Sequence, residues 1–395
     1  MKTTFSHVTG GVTAAHGFRA AGLAAGIKPS GKKDLALILS DVPATVAATF
    51  TTNQVKAAPV KLDMNHVKSG TARAIVANSG NANACTGKIG LLHAEAMAAA
   101  VARRIGCRDE HVLVCSTGRI GVPLPIVKVE AGIKKLLKQV SRHGSHDAAL
   151  GIMTSDTFPK ECAVAFQARG KTFHVGGIAK GAGMIHPNMA TMLAFITTDA
   201  AVPRATLQRA LRHAVNKSFN RISIDGDMST NDTVICLANG TAGKVNLTKF
   251  QAALDHVCLE LAKMIVKDGE GVTKFVTVDV HGARNDREAE IAARSVCNSA
   301  LVKTSWCGGD PNWGRIMDSL GYSRAKVVEE KVDIAYDGVP AVRGGQPTRT
   351  PVAKLKKIVK QPVFTITIHL HLGHGRCTMH TCDLTEAYVT FNKGE

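Results

Sequence analysis

The chain has 395 residues, a hydrophobic content of 45% and a formal net charge of +18. A chain of this length can bury the hydrophobic core of one large domain or of two domains of ordinary size. No apolar run reaches the roughly eighteen residues of a membrane span, and residues 1–7 lack the apolar segment of a secretory signal. We therefore expect a soluble, cytoplasmic protein that has no membrane partner.

The excess positive charge raises the question of a nucleic-acid partner. The lysines and arginines are dispersed in short pairs, such as Lys32-Lys33 and Lys134-Lys135, and aromatic residues make up only 4% of the chain. Nucleic-acid binding usually combines clustered basic residues with aromatic side chains that stack on bases. The sequence therefore favours a solvated basic surface that attracts anionic small molecules, and a non-catalytic basic binding protein stays as the less favoured alternative.

Hydrophobic periodicity predicts strands and helices along the whole chain. In chain order, the predicted elements are strands at 34–39 and 45–50, helices at 93–105 and 127–140, a strand at 195–198, helices at 204–215 and 248–266, and strands at 275–280, 331–336 and 364–372. This mixture predicts an α/β (α+β) protein in which sheets and helices form layers. Neither a repeat nor a low-complexity linker marks a domain boundary.

The segment KGAGMIHPNMATMLAFITTDA, residues 180–200, is the most informative part of the chain. It reads as a glycine-rich loop and a Pro-Asn turn that lead into a strand. The Thr191 hydroxyl is placed to attack the Ala190 carbonyl and cleave the chain, which would leave Thr191 with both a hydroxyl nucleophile and an α-amine base. From periodicity alone, a loop that simply feeds a core strand is the more ordinary interpretation.

Two further clusters of residues are typical of metal sites. Residues 225–232, DGDMSTND, begin like a calcium-binding loop, but Thr230 and Cys236 stand where that loop needs Gly and Glu. We expect a structural or substrate-proximal turn there.

The best metal candidate is a histidine-rich segment near the end of the chain, comprising His369, His371, His374, Cys377 and His380. Within the predicted strand, His369 and His371 would share one face. The ten cysteines form no C-x-x-C pair, so we expect free thiols.

Motifs in nearly every part of the chain resemble those of one enzyme family. They are GGVTAAHGFRAAGLAAGIK (10–28), VANSGNANACTG (76–87), STGRIGVPLP (116–125), MTSDTFPKE (153–161), the central segment 180–200, DGDMSTNDTV (225–234), DGEGVTKF (268–275), GGDPNWGRI (308–316) and CDLTEAYV (382–389). Together they resemble the ornithine acetyltransferase family, also called bifunctional glutamate N-acetyltransferases, of arginine biosynthesis.

The resemblance implies the family's layered α/β fold and a chain that cleaves itself. The pieces would be an α chain, 1–190, and a β chain, 191–395, assembled as a heterotetramer of two α and two β chains. The implied reaction moves acetyl from N2-acetyl-L-ornithine to L-glutamate through an acetyl-Thr191 intermediate, in the cyclic pathway of arginine biosynthesis. No cofactor or metal is implied, although many family members also use acetyl-CoA as a co-substrate.

Site residues follow from the matching motifs. The resemblance implies an oxyanion hole formed by Thr117 and Gly118, where a hydroxyl and an unhindered N–H point at one oxygen. It also implies a substrate-binding set made of Thr157, Lys180, Thr191, Glu270 and Asn392. Within that set, we expect Lys180 to pair with a substrate carboxylate and Glu270 with a substrate ammonium group.

Two related enzyme classes remain open. Related aminopeptidases also cleave their own chain to free an N-terminal nucleophile, but they pass the acyl group to water. An N-terminal-nucleophile hydrolase is therefore one alternative. A paralogue that acts on another acylated amino acid is the other.

Overall fold

The structure is a computed structural model that describes residues 5–168, 170–186 and 192–394. Its contacts divide the chain into two compact units. Unit 1 comprises Met1–Gly181, Asn188–Asn220 and Met228–Ile265, and unit 2 comprises Ala182–Pro187, Arg221–Asp227 and Val266–Glu395. These units are divisions by packing, whereas the predicted α and β chains are divisions by peptide cleavage, which stays a prediction.

Unit 1 is built on one large sheet. Its strands are β1 (Ser6–His7), β2 (Phe18–Leu23), β3 (Leu35–Phe50), β4 (Thr71–Asn81), β5 (Val112–Arg119), β6 (Lys160–Ala168), β7 (Lys171–Lys180), β8 (Leu193–Ala201) and β9 (Thr233–Lys244). Its helices are α1 (Ala58–His66), α2 (Gly87–Ile105), α3 (Ile126–Gln139), α4 (Ser145–Ile152), α5 (Arg204–Lys217) and α6 (Leu247–Lys267).

In the described part of unit 1, the strand order is β1-β6-β7-β8-β9-β3-β4-β5, and β2 pairs with β3. The β8–β9 and β4–β5 pairs are parallel and the others are antiparallel. Successive side chains of a strand face opposite sides of a sheet, and β3 follows this rule closely. Ala36 and Ile38 join one apolar cluster with α4, whereas Leu35 and Leu37 join another with α2 and α3. The sheet therefore lies between two layers.

Two elements of unit 1 differ from their predictions. The strands predicted at 34–39 and 45–50 form the single strand β3, whose pairing with β4 shifts between Leu39 and Ala44. The break that the sequence suggests is a bulge at Pro43, a place where strands tolerate proline. Helix α2 begins at Gly87 instead of residue 93, because Gly87 and Gly90 weaken the helical signal of its first turn.

Unit 2 has its own sheet and core. Its strands are β10 (Phe275–Ala283), β11 (Asp333–Tyr336), β12 (Val339–Arg343), β13 (Gln346–Pro347), β14 (Val363–His369) and β15 (Gly375–Cys382). Its helices are α7 (Asp286–Asn298), α8 (Ala300–Cys307), α9 (Trp313–Gly321), α10 (Val352–Val359) and α11 (Glu386–Phe391). The sheet order is β13-β12-β11-β14-β10-β15 among the described residues, and β10 and β14 are parallel.

Helix α7 shows why unit 2 has this core. Ala289, Ala292, Ala293 and Val296 recur at helical spacing and are fully buried, and they belong to the same apolar cluster as Val278 of β10. Small alanine side chains let the helix lie close to the sheet. At its start, Asn285 accepts a hydrogen bond from the Glu288 N–H and caps the helix.

The predicted histidine face on residues 364–372 is wrong. Strand β14 ends at His369, and His371 has a φ of 50°, a left-handed conformation outside any strand. The Nδ1 atom of His369 accepts from the His371 N–H, and His371 Nε2 lies 3.0 Å from Asp333 Oδ2. His371 therefore hydrogen-bonds both to His369 and to the carboxylate of Asp333.

Mixed sheets and helices confirm the predicted α/β class. The helices at 127–140, 204–215 and 248–266 are confirmed to within one or two residues by α3, α5 and α6. No helix in the described ranges combines the length and apolar character needed to cross a membrane.

Candidate active site

Strand β5 presents the predicted oxyanion pair at its carboxyl end. Thr117 is buried and Gly118 is exposed. Gly118 has a φ of 131°, and a Cβ placed there would lie 2.4 Å from the Gly80 carbonyl carbon of β4. Only glycine fits such a conformation and such a close strand neighbour, so the backbone at Gly118 is unobstructed by a side chain.

Lys180, the last residue of β7, lies beside Thr117. Its ammonium donates to Thr154 Oγ1 at 2.7 Å and to Thr117 Oγ1 at 3.3 Å. The Lys180 side chain is only 2% exposed. A lysine is seldom buried this deeply unless a counter-charge accompanies it.

Asp156 supplies that counter-charge. Its Oδ2 lies 4.0 Å from Lys180 Nζ, and its Oδ1 accepts from the fully buried Lys160 at 2.6 Å. The Gly181 N–H also donates to Oδ1 at 2.7 Å. Burial alone would raise the pKa of Asp156, but the charges of Lys180 and Lys160 outweigh it and lower that pKa to about 2. Asp156 is therefore ionised at neutral pH and forms ion pairs with both buried lysines.

A third lysine contributes to the positive charge of this region. Lys28 donates to the carbonyl oxygens of Met153 and Lys33. Burial lowers the pKa of Lys28 to about 8; Asp34 opposes this shift and the charge of Lys180 adds to it. Lys160 and Lys180 share the carboxylate of Asp156, and the charge of Lys28 acts on the same cluster.

The predicted cleavage site, Ala190-Thr191, lies outside the described residues. The structure describes Met192, whose N–H donates to Asp232 Oδ1 at 2.9 Å and whose carbonyl accepts from the Thr233 N–H at 3.1 Å. Leu193 then pairs with Lys180 across the β7–β8 ladder. The chain that follows Thr191 is thus held firmly from its first described residue.

Asp232 is an unusual anchor. It is completely buried, and that burial raises its pKa well above the ordinary range, although the Met192 N–H opposes the shift. This direction follows from desolvation, which disfavours the charged form of a carboxyl group.

The neighbouring Asn231 fixes the end of β5. Its amide nitrogen donates to the carbonyls of Ala82 and Ser116, at 2.7 and 2.8 Å. Ser116 in turn donates to Asn78 of β4 at 2.6 Å. These buried bonds hold the residue directly before Thr117 and so position the threonine.

Unit 2 brings together two members of the predicted substrate-binding set, Glu270 and Asn392. The Asn392 amide donates to Glu270 Oε2 at 3.1 Å, and the Glu270 N–H donates to the Ala182 carbonyl at 2.9 Å. A Cβ on Gly183 would lie 2.5 Å from the Glu270 carboxylate. Glu270 therefore packs directly against the glycine-rich segment that precedes the predicted cleavage site.

Asp225 holds the next residues of that segment. Its two carboxylate oxygens accept from the backbone N–H groups of Met184 and Ile185, at 2.5 and 2.8 Å, and Tyr388 donates to one of them at 3.2 Å. Burial raises the pKa of Asp225. The motif that resembled a calcium loop thus acts as a backbone anchor, in agreement with the expected structural turn.

The structure thus brings four of the predicted site residues into two contacts, Thr117 with Lys180 in unit 1 and Glu270 with Asn392 in unit 2. Thr157 is exposed and directly follows the buried Asp156. Residues that the sequence did not single out are Thr154, Asp156 and Asp232. The available signal was their position inside the motifs at 153–161 and 225–234, together with the i,i+4 spacing of Asp156 and Lys160.

The chain is similar to known proteins over nearly its whole length. The profile of the ArgJ family matches residues 19–394. The chain is 51% identical over 384 residues to the arginine biosynthesis bifunctional protein ArgJ of Geobacter sulfurreducens, with 95% of this chain and 98% of that protein covered. It is 48% identical to the protein of the same name from Symbiobacterium thermophilum, with 98% of each covered.

Among solved structures, the ornithine acetyltransferase of Mycobacterium tuberculosis complexed with ornithine is 44% identical, with a TM-score of 0.44, over 47% of this chain and 98% of the solved one. The family match and the identities to the two full-length relatives extend over nearly the entire chain. The protein therefore belongs to the ArgJ family.

Proposed function

We propose that this protein is a self-cleaving N-acetyltransferase of arginine biosynthesis that moves acetyl from N2-acetyl-L-ornithine to L-glutamate. Family membership and the names of its relatives, arginine biosynthesis bifunctional proteins, support the reaction class. The observation that carries the proposal is the buried cluster around Thr117, Lys180 and Asp156. This cluster lies beside the start of β8, and Ala190 and Thr191 come shortly before that strand in the chain.

The first step is cleavage between Ala190 and Thr191. The Thr191 oxygen attacks the Ala190 carbonyl carbon, the peptide C–N bond breaks, and an ester forms as the nitrogen takes up the hydroxyl proton. Water then hydrolyses the ester, which yields the Ala190 carboxylate and a free Thr191 hydroxyl and α-amine. The bond from Met192 to Asp232 supports this step because it fixes the chain on the amine side.

The second step forms the acetyl-Thr191 ester. The Thr191 α-amine, whose ordinary pKa is about 7.7–8.0, accepts the hydroxyl proton as the oxygen attacks the acetyl carbonyl. The proton passes to the departing amine of ornithine. The glutamate amine then attacks the ester, and acetylglutamate leaves as the Thr191 hydroxyl is restored.

Thr117 and Gly118 stabilise the oxyanion in both acyl-transfer steps. A lysine ammonium only donates hydrogen bonds, so the bond from Lys180 occupies a lone pair of Thr117 Oγ1 and leaves its O–H free to donate. Lys180 acts here as a positioning residue. Its charge, with that of Lys28, also favours the α-carboxylates of both substrates.

Substrate selection involves Thr157, Lys180, Thr191, Glu270 and Asn392. The Glu270 carboxylate suits the free ammonium group of ornithine, and Asn392 orients that carboxylate through the 3.1 Å hydrogen bond. The α chain, 1–190, and the β chain, 191–395, assemble as a heterotetramer of two copies each in the cytoplasm. The reaction as proposed needs no bound cofactor.

The direct test supplies acetylornithine with and without glutamate and follows acetylglutamate, ornithine and free acetate. We expect acetylglutamate and ornithine in equal amounts, with exchange of labelled ornithine into acetylornithine when glutamate is omitted, as a ping-pong route requires. Acetate release that does not depend on glutamate would instead identify the N-terminal-nucleophile hydrolase. Transfer confined to another acylated amino acid would identify a paralogue.

A further inference from the structure

A second cluster of reactive side chains lies in unit 1, on a part of its sheet that the acetyl-transfer chemistry does not use. It consists of His7 on β1, Cys162 on β6 and His256 on α6, and one potential ligand atom from each lies within 4.8 Å of the other two. We propose that this Cys-His-His cluster binds a borderline divalent cation, with Zn²⁺ as the expected ion.

The sheet geometry explains why these residues meet. His7 pairs with Val164 across the antiparallel β1–β6 ladder, and Cys162 lies two residues from Val164 on the same strand. Since side chains two apart share a face, His7 and Cys162 are diagonal neighbours on one side of the sheet. His256 lies on α6, and its ring centroid lies 5.1 Å from that of His7.

One side chain of the cluster, His256, has a ring nitrogen without a hydrogen-bond partner in the described part of the chain. This nitrogen is Nε2, and it is buried. Buried polar atoms without a partner are rare in native proteins, and an unoccupied ion site is one of their explanations.

The donor set favours zinc over harder ions. A thiolate and two imidazoles suit Zn²⁺ or Co²⁺, whereas Mg²⁺ and Ca²⁺ prefer oxygen ligands. The Cys162 thiol transfers its proton to solvent when the metal–sulfur bond forms, because the thiolate is the ligand. Three protein ligands leave the fourth position for water, and His7 is exposed.

The ion would join β1, β6 and α6, elements that are far apart in sequence. This role is independent of the acetyl-transfer mechanism proposed above, and its readouts are spectral and thermal. A second group, His16, His174 and Asp199, also has ligand atoms in mutual reach. There, however, the Asp199 carboxylate already accepts from the His174 and His16 backbone N–H groups and lies 2.7 Å from His174 Nδ1.

The experiment titrates the full-length purified protein, stripped with a chelator, with Co²⁺ and then with Zn²⁺. We expect one equivalent of Co²⁺ to give a thiolate-to-cobalt charge-transfer band, and Zn²⁺ to displace it and raise the Tm. Cys162→Ser and His256→Gln should each weaken Zn²⁺ binding about a hundredfold or more, since even outer partners of metal ligands are worth ten- to a hundredfold.

Cys85→Ser and His174→Gln are the matched controls, and both should retain the band and the affinity. His7→Gln changes an exposed residue and supplies a ligand-deletion variant should a buried substitution prevent folding. Absence of metal uptake by the native chain would overturn the proposal. So would a cobalt spectrum without the thiolate band, or binding that survives in the His7, Cys162 and His256 variants and is lost with His174→Gln.

Discussion

Lys180 of unit 1 and Glu270 of unit 2 both lie in motifs of one family, yet their surroundings differ sharply. Lys180 is 2% exposed and has bonds to Thr154 and Thr117. Glu270 is half-buried, and its described side-chain partner is the exposed Asn392. A charged side chain that is buried among fixed partners is suited to orienting reacting groups. A charged side chain that solvent can reach is suited to binding and releasing a substrate.

This difference predicts different effects for mutations in the two units. Changes around Lys180 should affect the chemical steps and the stability of the fold together. Changes around Glu270 should affect mainly substrate affinity. Four substitutions test this comparison, in order of decreasing effect.

The largest effect is expected for Thr191→Ala. This change removes both the attacking hydroxyl and the source of the new amino terminus, so cleavage and transfer should both be abolished. Thr191→Ser is the matched control, since it keeps a hydroxyl and should keep both activities. Gel analysis of cleavage and an acetylglutamate assay measure the outcome; a cleaved, active Thr191→Ala protein would refute the nucleophile assignment.

Asp156→Asn should destabilise unit 1 by about 3 kcal/mol at pH 7, because two buried lysines lose their shared counter-charge. The pKa of Asp156 is depressed to about 2 in the folded state, below its ordinary value of 3.8. Its stabilisation is therefore present above about pH 4 and is lost as the pH falls toward 2. Urea unfolding at several pH values measures the difference between native and variant chains.

The matched control for Asp156→Asn is Asp41→Asn. Asp41 pairs with Arg19 at 2.7 Å, but both side chains are about one-third exposed, so this loss should stay below about 1 kcal/mol. Equal destabilisation by the two variants would contradict the distinction between buried and accessible charges.

Thr117→Ala should slow acetyl transfer by about a hundredfold, the usual loss when one oxyanion donor is removed. The effect should fall on kcat, because the oxyanion exists only beyond the ground state. Thr117→Ser retains the hydroxyl and should recover most of the rate. A full kcat in Thr117→Ala would remove this threonine from the oxyanion hole.

Asn392→Ala should give the smallest effect, a rise of about tenfold in KM for acetylornithine with kcat little changed. Such a rise corresponds to about 1.4 kcal/mol, the value of one ordinary hydrogen bond. Cleavage at Ala190-Thr191 should proceed normally. Steady-state kinetics decides this, and a lower kcat at unchanged KM would place Asn392 with the unit 1 residues instead.

The sequence predicts features that depend on residues close together in the chain better than features that depend on contacts between distant residues. Local patterns predicted α3, α5 and α6, and the family resemblance predicted Thr117, Lys180, Glu270 and Asn392 as site residues. The bond between Met192 and Asp232 spans 40 residues and depends on how β8 meets β9, which no local pattern encodes.

The errors have the same physical origin. The proline and polar residues inside β3 indicated two strands, because the pairing partners that carry the strand through its bulge are distant in sequence. The histidines at 369 and 371 alternated like a strand, but the chain turns after His369. Conversely, the His7, Cys162 and His256 cluster has no sequence signature, since three separate elements bring it together.

Self-cleavage is the central claim, because the Thr191 amine exists only after the peptide bond is broken. Intact mass of the purified protein under denaturing conditions tests it most directly. We expect two species of near-equal size, Met1–Ala190 and Thr191–Glu395, in equal amounts. A single species of 41.7 kDa that nevertheless transfers acetyl from acetylornithine to glutamate would rule out the Thr191 amine as the catalytic base.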